Sequence, residues 1–313
     1  MLGKTAGGLF WMFRYLERSE NTARMIDAGL RISLTRSSAA ESEWTSILHA
    51  TGLQAGYLQR YSTYTGDQVI DYLLRDETNP GSVRAVVEAA RNDARLVRTA
   101  LTREVWEAVN ECYMVLKDAL AHPISDRDLP RILQMIRQRS AFVRGALHGT
   151  MLRNEMYDFA RIGTFFERAD NTARILDVKY YILLPSVMHV GTPTDNVQWE
   201  TILRATSAVR AYQTLHDGEV DPKSIAKFLM LDRRLPRSLA FCYGKIQDNL
   251  GYLETDYGVR HPCHDLAARI CKRFATYDVD AIFDYGLHEF ISDFLKDSAA
   301  LGQQIEIDYR FIE

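Results

Sequence analysis

The sequence has few cysteines, no long apolar run and no apolar core of the kind found in a signal peptide. Its four cysteines form no Cys-x-x-Cys pair, so we expect reduced thiols rather than a disulfide framework. No apolar stretch is long enough to cross a membrane, and the first residues lead into a charged amphipathic segment. These absences predict a cytoplasmic protein that does not act at a membrane.

A strong excess of charge of either sign is also missing. The formal net charge is −3, and the arginines are dispersed rather than gathered into a basic stripe with interleaved aromatics. A nucleic-acid partner is therefore not expected. Apolar residues make up 47% of the chain and charged residues 25%, which allows a substantial buried core.

Motifs for metal ions and nucleotide cofactors are missing as well. His261, Cys263 and His264 lie close together, but their spacing matches no zinc pattern. Gly3-Lys4-Thr5 lacks the earlier glycine and the preceding strand of a phosphate-binding loop. The sequence therefore predicts neither a metal nor a cofactor.

The most informative feature that is present is an internal repeat. Residues 16–27, Leu-Glu-Arg-Ser-Glu-Asn-Thr-Ala-Arg-Met-Ile-Asp, recur at 166–177 as Phe-Glu-Arg-Ala-Asp-Asn-Thr-Ala-Arg-Ile-Leu-Asp. Further matches pair Trp44 with Trp199, Tyr57 with Tyr212, Asp76 with Asp232, Pro80 with Pro236, and Ser82 with Ser238. We interpret this as a tandem duplication. The first helical repeat would cover residues 1–150 and the second 151–313, packed as one globular unit with pseudo-twofold-related halves.

Hydrophobic periodicity predicts an all-α fold, an internally duplicated helical bundle. Long amphipathic helices are predicted over Leu9–Thr35 and Met156–Leu184. Single helices are also predicted over Val197–Tyr212 and Ala281–Gln303. Trp44, Trp199, Tyr57 and Tyr212 are interpreted as core anchors of the two halves.

Two local signals concern the second half. Asp221 followed by Pro222 is typical of an N-cap and first helical position. Apolar residues alternate with polar ones in residues 305–311, which predicts an extended C-terminal tail.

The repeated motif carries charge on both helices. Its candidate binding residues are Glu17, Arg18, Asn21, Arg24, Glu167, Arg168, Asn171 and Arg174. If the two helices meet, they bring together two carboxylates and four guanidiniums. Guanidinium groups bind carboxylate or phosphate through two parallel hydrogen bonds. An acidic peptide, a nucleotide or a phosphorylated group is therefore a chemically sensible ligand.

A structural interpretation explains the same residues equally well. Buried charges must be paired, and a set of Glu-Arg pairs can hold two halves of a fold together. Clustered charges mark structural and functional sites alike. Both interpretations remain open at the level of the sequence.

The chain resembles the Alpha-E domain family, bacterial all-helical proteins named for their Glu-Arg motif. The resemblance begins at the first residues and runs through Arg14-Tyr15-Leu16-Glu17-Arg18-Ser19-Glu20-Asn21-Thr22-Ala23-Arg24. It continues in Asn79-Pro80-Gly81-Ser82, in residues 90–95 and in residues 232–242. The second half lacks the Arg91 and Arg95 pattern, so a site using those two arginines would be one-sided.

The resemblance implies a context more than a mechanism. Such proteins are encoded with, or fused to, circularly permuted ATP-grasp ligases, and often lie near transglutaminase-like proteases. That setting implies ATP-dependent amide-bond formation on a peptide or small acid. We therefore expect a non-catalytic helical partner of the ligase, whose Arg/Glu-lined cleft holds an acidic peptide, a small carboxylate or the ligase itself.

Two rival hypotheses belong to other classes. The chain could be an acyl or aminoacyl transferase, or an amidoligase component, with Glu17 or Glu167 as general base. A base needs a pKa near neutrality, and neighbouring arginines lower the pKa of a carboxyl group instead. The third hypothesis is a purely structural scaffold.

Overall fold

A computed structural model describes residues 2–35, 40–181, 193–216 and 221–312, and no strand occurs within these ranges. The all-α prediction is confirmed. The helices of the first half are α1 Gly3–Thr35, α2 Ala40–Thr51, α3 Gln54–Leu58, α4 Gly66–Leu74, α5 Val83–Leu96, α6 Arg103–Ala119 and α7 Leu129–Thr150. Those of the second half are α8 Glu155–Tyr181, α9 Pro193–Ala205, α10 Val209–Leu215, α11 Pro222–Leu231, α12 Leu239–Tyr257, α13 Pro262–Thr276, α14 Val279–Tyr285 and α15 Leu287–Asp308.

The long helices α1 and α8 pack against each other at the centre of the molecule. Helices α5 and α7 flank α1, and helices α12 and α15 flank α8. One continuous hydrophobic cluster runs through both halves, and it includes the predicted anchors Trp44, Trp199, Tyr57 and Tyr212. The boundary predicted after residue 150 falls between α7 and α8. The duplication itself stays an interpretation of the sequence matches.

Side-chain caps define several helix starts. Asp221 accepts a hydrogen bond from the Ser224 amide at 2.8 Å, so the predicted N-cap before Pro222 is confirmed. Ser82 and Ser238 cap α5 and α12 in the same way, each accepting from an amide three residues on. The free cysteines are buried or half-buried, and burial raises the pKa of Cys112 to about 12.

Two predicted helices are interrupted in the structure. The prediction over Val197–Tyr212 is wrong because α9 ends before Ser207, whose φ of +57° is left-handed, and α10 begins after it. The prediction over Ala281–Gln303 is wrong because Gly286, at φ +110°, separates α14 from α15. Such backbone angles break the helical repeat and suit glycine best.

The predicted extended C-terminal tail is also wrong. Helix α15 continues to Asp308, and the Tyr309 amide bonds back to the Ile305 carbonyl at 3.1 Å. The apparent alternation does not divide a buried face from an exposed one, since Ile305 is buried and Ile307 is 68% exposed. Helical hydrogen bonds satisfy this backbone without a partner strand. Phe311 then packs against Phe10, with ring centroids 5.4 Å apart.

The backbones of α1 and α8 approach each other closely at Gly163. A Cβ added there would overlap the carbonyl oxygen of Phe10 on α1. The absence of a side chain at this position therefore sets the distance between the two central helices. Among the described residues, no helix combines the length and the apolar character needed to cross a membrane.

We expect Gly163→Ala to lower the free energy of unfolding by about 1–3 kcal/mol, because the added methyl must push α1 and α8 apart. Gly145→Ala is the matched control on α7, where an added Cβ meets nothing within 4 Å. That change should stabilise the helix by about 0.5–1 kcal/mol. Urea unfolding of both variants measures the difference, and equal effects would contradict the close approach.

Candidate functional site

The two copies of the motif face each other across the seam between α1 and α8. Arg168 donates to both carboxylate oxygens of Glu17, from Nε at 2.8 Å and from a terminal nitrogen at 2.9 Å. Arg18 reaches Glu167 in the same two-pronged way, at 2.5 and 2.9 Å. The expected meeting of the motifs is therefore found, as a reciprocal pair of Glu-Arg bridges.

Helix geometry sends the two bridges to different sides of the seam. Consecutive residues of a helix point about 100° apart, so Glu17 and Arg18 cannot face the same way. The same holds for Glu167 and Arg168. One bridge therefore joins the cluster around Glu17, and the other joins the cluster around Glu167.

We call the first group the sealed cluster; it comprises Glu17, Glu20, Arg24, Arg144, Arg168 and Arg237. Arg237 lies 3.2 Å from Glu17 and donates to Glu20 at 3.0 Å. Arg144, from α7, donates to both of these carboxylates. The Glu17 side chain is fully buried and that of Glu20 is 1% exposed.

The arginines decide the charge state of the sealed cluster. Burial opposes the ionisation of Glu17, but Arg168, Arg237 and Arg144 outweigh it and hold the pKa of Glu17 well below its usual range. Burial lowers the pKa of Arg237 to about 10, which still leaves its guanidinium charged at neutral pH. The sealed cluster is thus a closed set of ion pairs, as the structural interpretation requires.

The second group, the open cluster, comprises Arg14, Arg18, Glu167, Asp170 and Arg174. Arg14 donates to Glu167 at 3.0 Å, and its guanidinium lies over the ring of Trp11 at 4.5 Å. Burial opposes the ionisation of Glu167, but Arg18 and Arg14 lower its pKa to about 2.

A cavity of about 490 Å³ lies against the open cluster. Its wall includes Arg18, Arg174 and the aromatic rings of Trp11 and Phe166. The side chains of Arg18 and Arg174 are 33% and 39% exposed, whereas no side chain of the sealed cluster exceeds 20%. The volume matches a small-molecule pocket.

Two buried asparagine side chains in the cavity wall have NH2 groups without an acceptor in the described chain. Arg237 donates to the Oδ1 atom of Asn21 at 2.9 Å, and this fixes Nδ2 as a donor that has no acceptor in the described chain. The Nδ2 atom of Asn171 has no acceptor there either. Asn21 is 2% exposed and Asn171 7%, and both line the cavity. Buried unpaired N–H groups of this kind call for an explanation.

The structure brings together eight of the ten predicted site residues: three belong to the sealed cluster, three belong to the open cluster, and Asn21 and Asn171 line the cavity. Arg24 and Arg174 each bind the acid one turn earlier, Glu20 and Asp170 respectively. Arg91 and Arg95 lie elsewhere, on α5. Arg91 donates to Asn110 of α6 at 3.1 Å, and Arg95 is exposed, so neither joins the clusters.

The sequence did not predict Arg144 and Arg237 in the sealed cluster or Gly81 beside the cavity. Arg144 belongs to no motif, and nothing in its surroundings marks it. Arg237 had a detectable signal, because Pro236-Arg237-Ser238 matches Pro80-Gly81-Ser82 except at the central position. Gly81 lines the cavity, whereas Arg237 fills the sealed cluster.

The histidine group near α13 has a structural explanation. His264 accepts from the His261 amide at 3.1 Å, and its other ring nitrogen lies 3.0 Å from the Leu250 carbonyl oxygen. Within the described ranges, no group of three or more histidine, cysteine or acidic side chains is arranged to hold a metal ion.

The geometry of the motif agrees with a family comparison. A family model described as a predicted alpha-helical domain with a conserved ER motif, named Alpha-E, matches residues 1–309. This chain belongs to the Alpha-E family. The Glu-Arg pairs of this Alpha-E chain are Glu17-Arg18 and Glu167-Arg168, the residues that bridge α1 and α8.

Similar curated proteins are known from mycobacteria. One protein of Mycobacterium bovis and two of Mycobacterium tuberculosis, all named as uncharacterized, are 22% identical to this Alpha-E chain over 275 residues. The match covers 81% of this chain and 30% of each relative, so the chain spans about a third of their length. No solved structure matches the chain.

Replacing Glu17 by Gln is expected to lower the free energy of unfolding by about 3–5 kcal/mol, because it leaves buried guanidiniums without their counter-charge. Arg174→Gln is the control in the open cluster, where the exposed pair with Asp170 should contribute less than about 1 kcal/mol. Denaturant unfolding separates them. Similar losses for both variants would refute the division into a sealed and an open cluster.

Stability should also fall in acid. Because the pKa of Glu167 is about 2 in the folded chain, its ion pairs stabilise the fold fully above the ordinary carboxyl pKa. That contribution is lost as the pH falls through the range between these two pKa values. We expect Glu167→Gln to show a shallower decline than the parent chain when unfolding is measured from pH ~5 to ~2. Parallel profiles would be incompatible with an ionised, paired Glu167.

Proposed function

We propose that the cavity beside the open cluster binds a small carboxylate or the acidic part of a peptide. The chain would present this ligand as a non-catalytic partner of a circularly permuted ATP-grasp amide ligase. The observation that carries the first part is the pair of buried, unpartnered amide donors of Asn21 and Asn171 in the cavity wall.

The donor set suits an anionic oxygen ligand. Arg18 uses Nε and one terminal nitrogen on Glu167, which leaves its other terminal nitrogen for a ligand. Arg174 donates from Nε to Asp170, and within the described ranges its two terminal nitrogens have no hydrogen-bond partner. A carboxylate accepts several N–H bonds at once, so it can satisfy these guanidiniums and the two amides together.

The cavity wall also contains aromatic residues and glycines. Trp11 and Phe166 offer apolar surface next to the guanidiniums, and Gly52, Gly81 and Gly302 also line the cavity. A few fixed polar groups in a partly apolar cavity are typical of sites that orient a small ligand.

The general-base hypothesis has less support. Arginines lower the pKa of both Glu17 and Glu167, so each stays ionised and is a poor proton acceptor at neutral pH. Burial raises the pKa of Asp93 and Asp158 to about 7, but neither lines this cavity. The role as a ligase partner rests on the family context, and binding by the cavity rests on the geometry.

Asn171→Leu tests the carboxylate site. Leucine has a similar shape and removes an unpaired buried N–H, so the melting temperature should stay unchanged or rise. Binding of glutarate or the dipeptide Glu-Glu, measured by calorimetry, should weaken about tenfold or more. Unchanged binding would refute the site.

Two companion measurements complete this test. Asn21→Leu should instead destabilise the fold, because Arg237 then loses its amide acceptor. In an amide-formation assay with the ligase, ATP and an acidic peptide, the parent chain should raise product formation and Asn171→Leu should not. Amide formation or cleavage by the chain without the ligase would overturn the non-catalytic assignment.

A further inference from the structure

We infer that the ligand of the open cavity carries a guanidinium or ammonium group in addition to its carboxylate. This rests on the carboxylate site proposed above and names its ligand class. The basis is a set of three corresponding positions at which polar side chains lie in or against the sealed cluster, whereas glycines line the cavity.

The first position lies on α7 and α15. Both helices have 22 residues and bury the same register of positions. The buried pairs are Leu129 and Leu287, Ile132 and Phe290, Leu133 and Ile291, Ile136 and Phe294, Ser140 and Ser298, Val143 and Leu301, Leu147 and Ile305. In this register Arg144 corresponds to Gly302. Arg144 enters the sealed cluster, whereas Gly302 lines the cavity.

The second position precedes the capping serines of α5 and α12. Ser82 and Ser238 start these helices with the same side-chain bond, at 3.2 and 3.0 Å. The residue before the cap is Gly81 in the first half and Arg237 in the second. Arg237 donates to Glu20 and Asn21 in the sealed cluster, whereas Gly81 has no side chain to offer Asp170 or Asn171, and the Leu53 side chain lies 2.7 Å from where its Cβ would stand.

The third position is a left-handed turn. Gly52 has φ +71° and Ser207 has φ +57°, and each follows the helix that packs beside the central pair. Ser207 accepts a hydrogen bond from Arg24. Arg174 approaches Gly52, with a terminal nitrogen 3.4 Å from where a Cβ would stand, but finds no hydroxyl there.

At the positions that correspond to Arg144 and Arg237, the cavity wall therefore has Gly302 and Gly81. Glu20 receives hydrogen bonds from Arg24, Arg144 and Arg237. Asp170, at the matching position, binds Arg174 within the described chain. Glu167 is already paired with Arg14, so Asp170 is the carboxylate that can accept further hydrogen bonds.

A second carboxylate faces the same space. Glu306 lies one turn beyond Gly302 on α15 and lines the cavity, and its carboxylate has no hydrogen-bond or ion-pair partner in the described chain. A cationic group beside Gly302, the position that corresponds to Arg144, would lie in the cavity that Asp170 and Glu306 line. The ligand carboxylate would meet Arg18, Arg174 and the two asparagine amides.

The ligand class is thus a small amino-carboxylate, such as an amino acid or peptide end with a basic side chain. L-Arginine is the probe, because it carries both a guanidinium and a carboxylate. Agmatine lacks the carboxylate and glutarate lacks the cation. Calorimetry on the full chain should show arginine binding about tenfold tighter than either.

Gly302→Arg copies the arrangement of the sealed cluster and should abolish arginine binding. An added Cβ there would lie 3.0 Å from the Phe166 ring, so that ring must shift slightly. Gly145→Arg adds the same side chain on α7 with nothing within 4 Å of its Cβ, and should bind arginine like the parent. Asp170→Asn keeps the shape of the wall and should weaken arginine binding about tenfold without weakening glutarate binding.

The outcomes distinguish this inference from the proposed carboxylate site on which it rests. Glutarate binding as tightly as arginine, or Asp170→Asn leaving arginine binding intact, would overturn the inference and leave the carboxylate site in place. Agmatine binding as tightly as arginine would overturn the carboxylate site as well. Failure of all three probes to bind would refute both.

Discussion

The two reciprocal Glu-Arg bridges are the interaction on which the rest of the structure depends. They place two carboxylates, with side chains 0% and 7% exposed, at the centre of the contact between α1 and α8. Charges taken out of water at this depth are tolerated only with close and complete pairing. The flanking helices are held to positions that supply it, most clearly α7 with Arg144 and the start of α12 with Arg237.

The structural interpretation of the motif describes one side of the seam, and the proposed binding site lies on the other. Around Glu17, additional arginines satisfy every carboxylate and close the interior. Around Glu167 lies a cavity whose wall contains two amide donors without acceptors in the described part of the chain. One repeated sequence therefore serves as an interior lattice in one place and as a candidate binding wall in the other.

The sequence predicted what is local and periodic. The helical class, the Asp221 cap and the buried tryptophans and tyrosines follow from short-range patterns, and the meeting of the two motifs follows from the internal repeat. The breaks at Ser207 and Gly286 were missed because apolar periodicity runs through them, and the alternation at 305–311 resembled a strand although Ile307 is exposed. Arg144 could not be foreseen, because its role depends on how α7 lies against α1.

The adjacency of Glu17 and Arg18 has a consequence for how the halves recognise each other. Glu17 pairs with Arg168, and the adjacent Arg18 pairs with Glu167. A shift of α1 along α8 by one turn would therefore leave all four charges unpaired. The ion pairs at the seam therefore fix a single register of α1 against α8. If the chain were cut between α7 and α8, each fragment would carry one Glu-Arg pair that is complementary to the other. Any other alignment of the two fragments would be destabilised by unpaired buried charges.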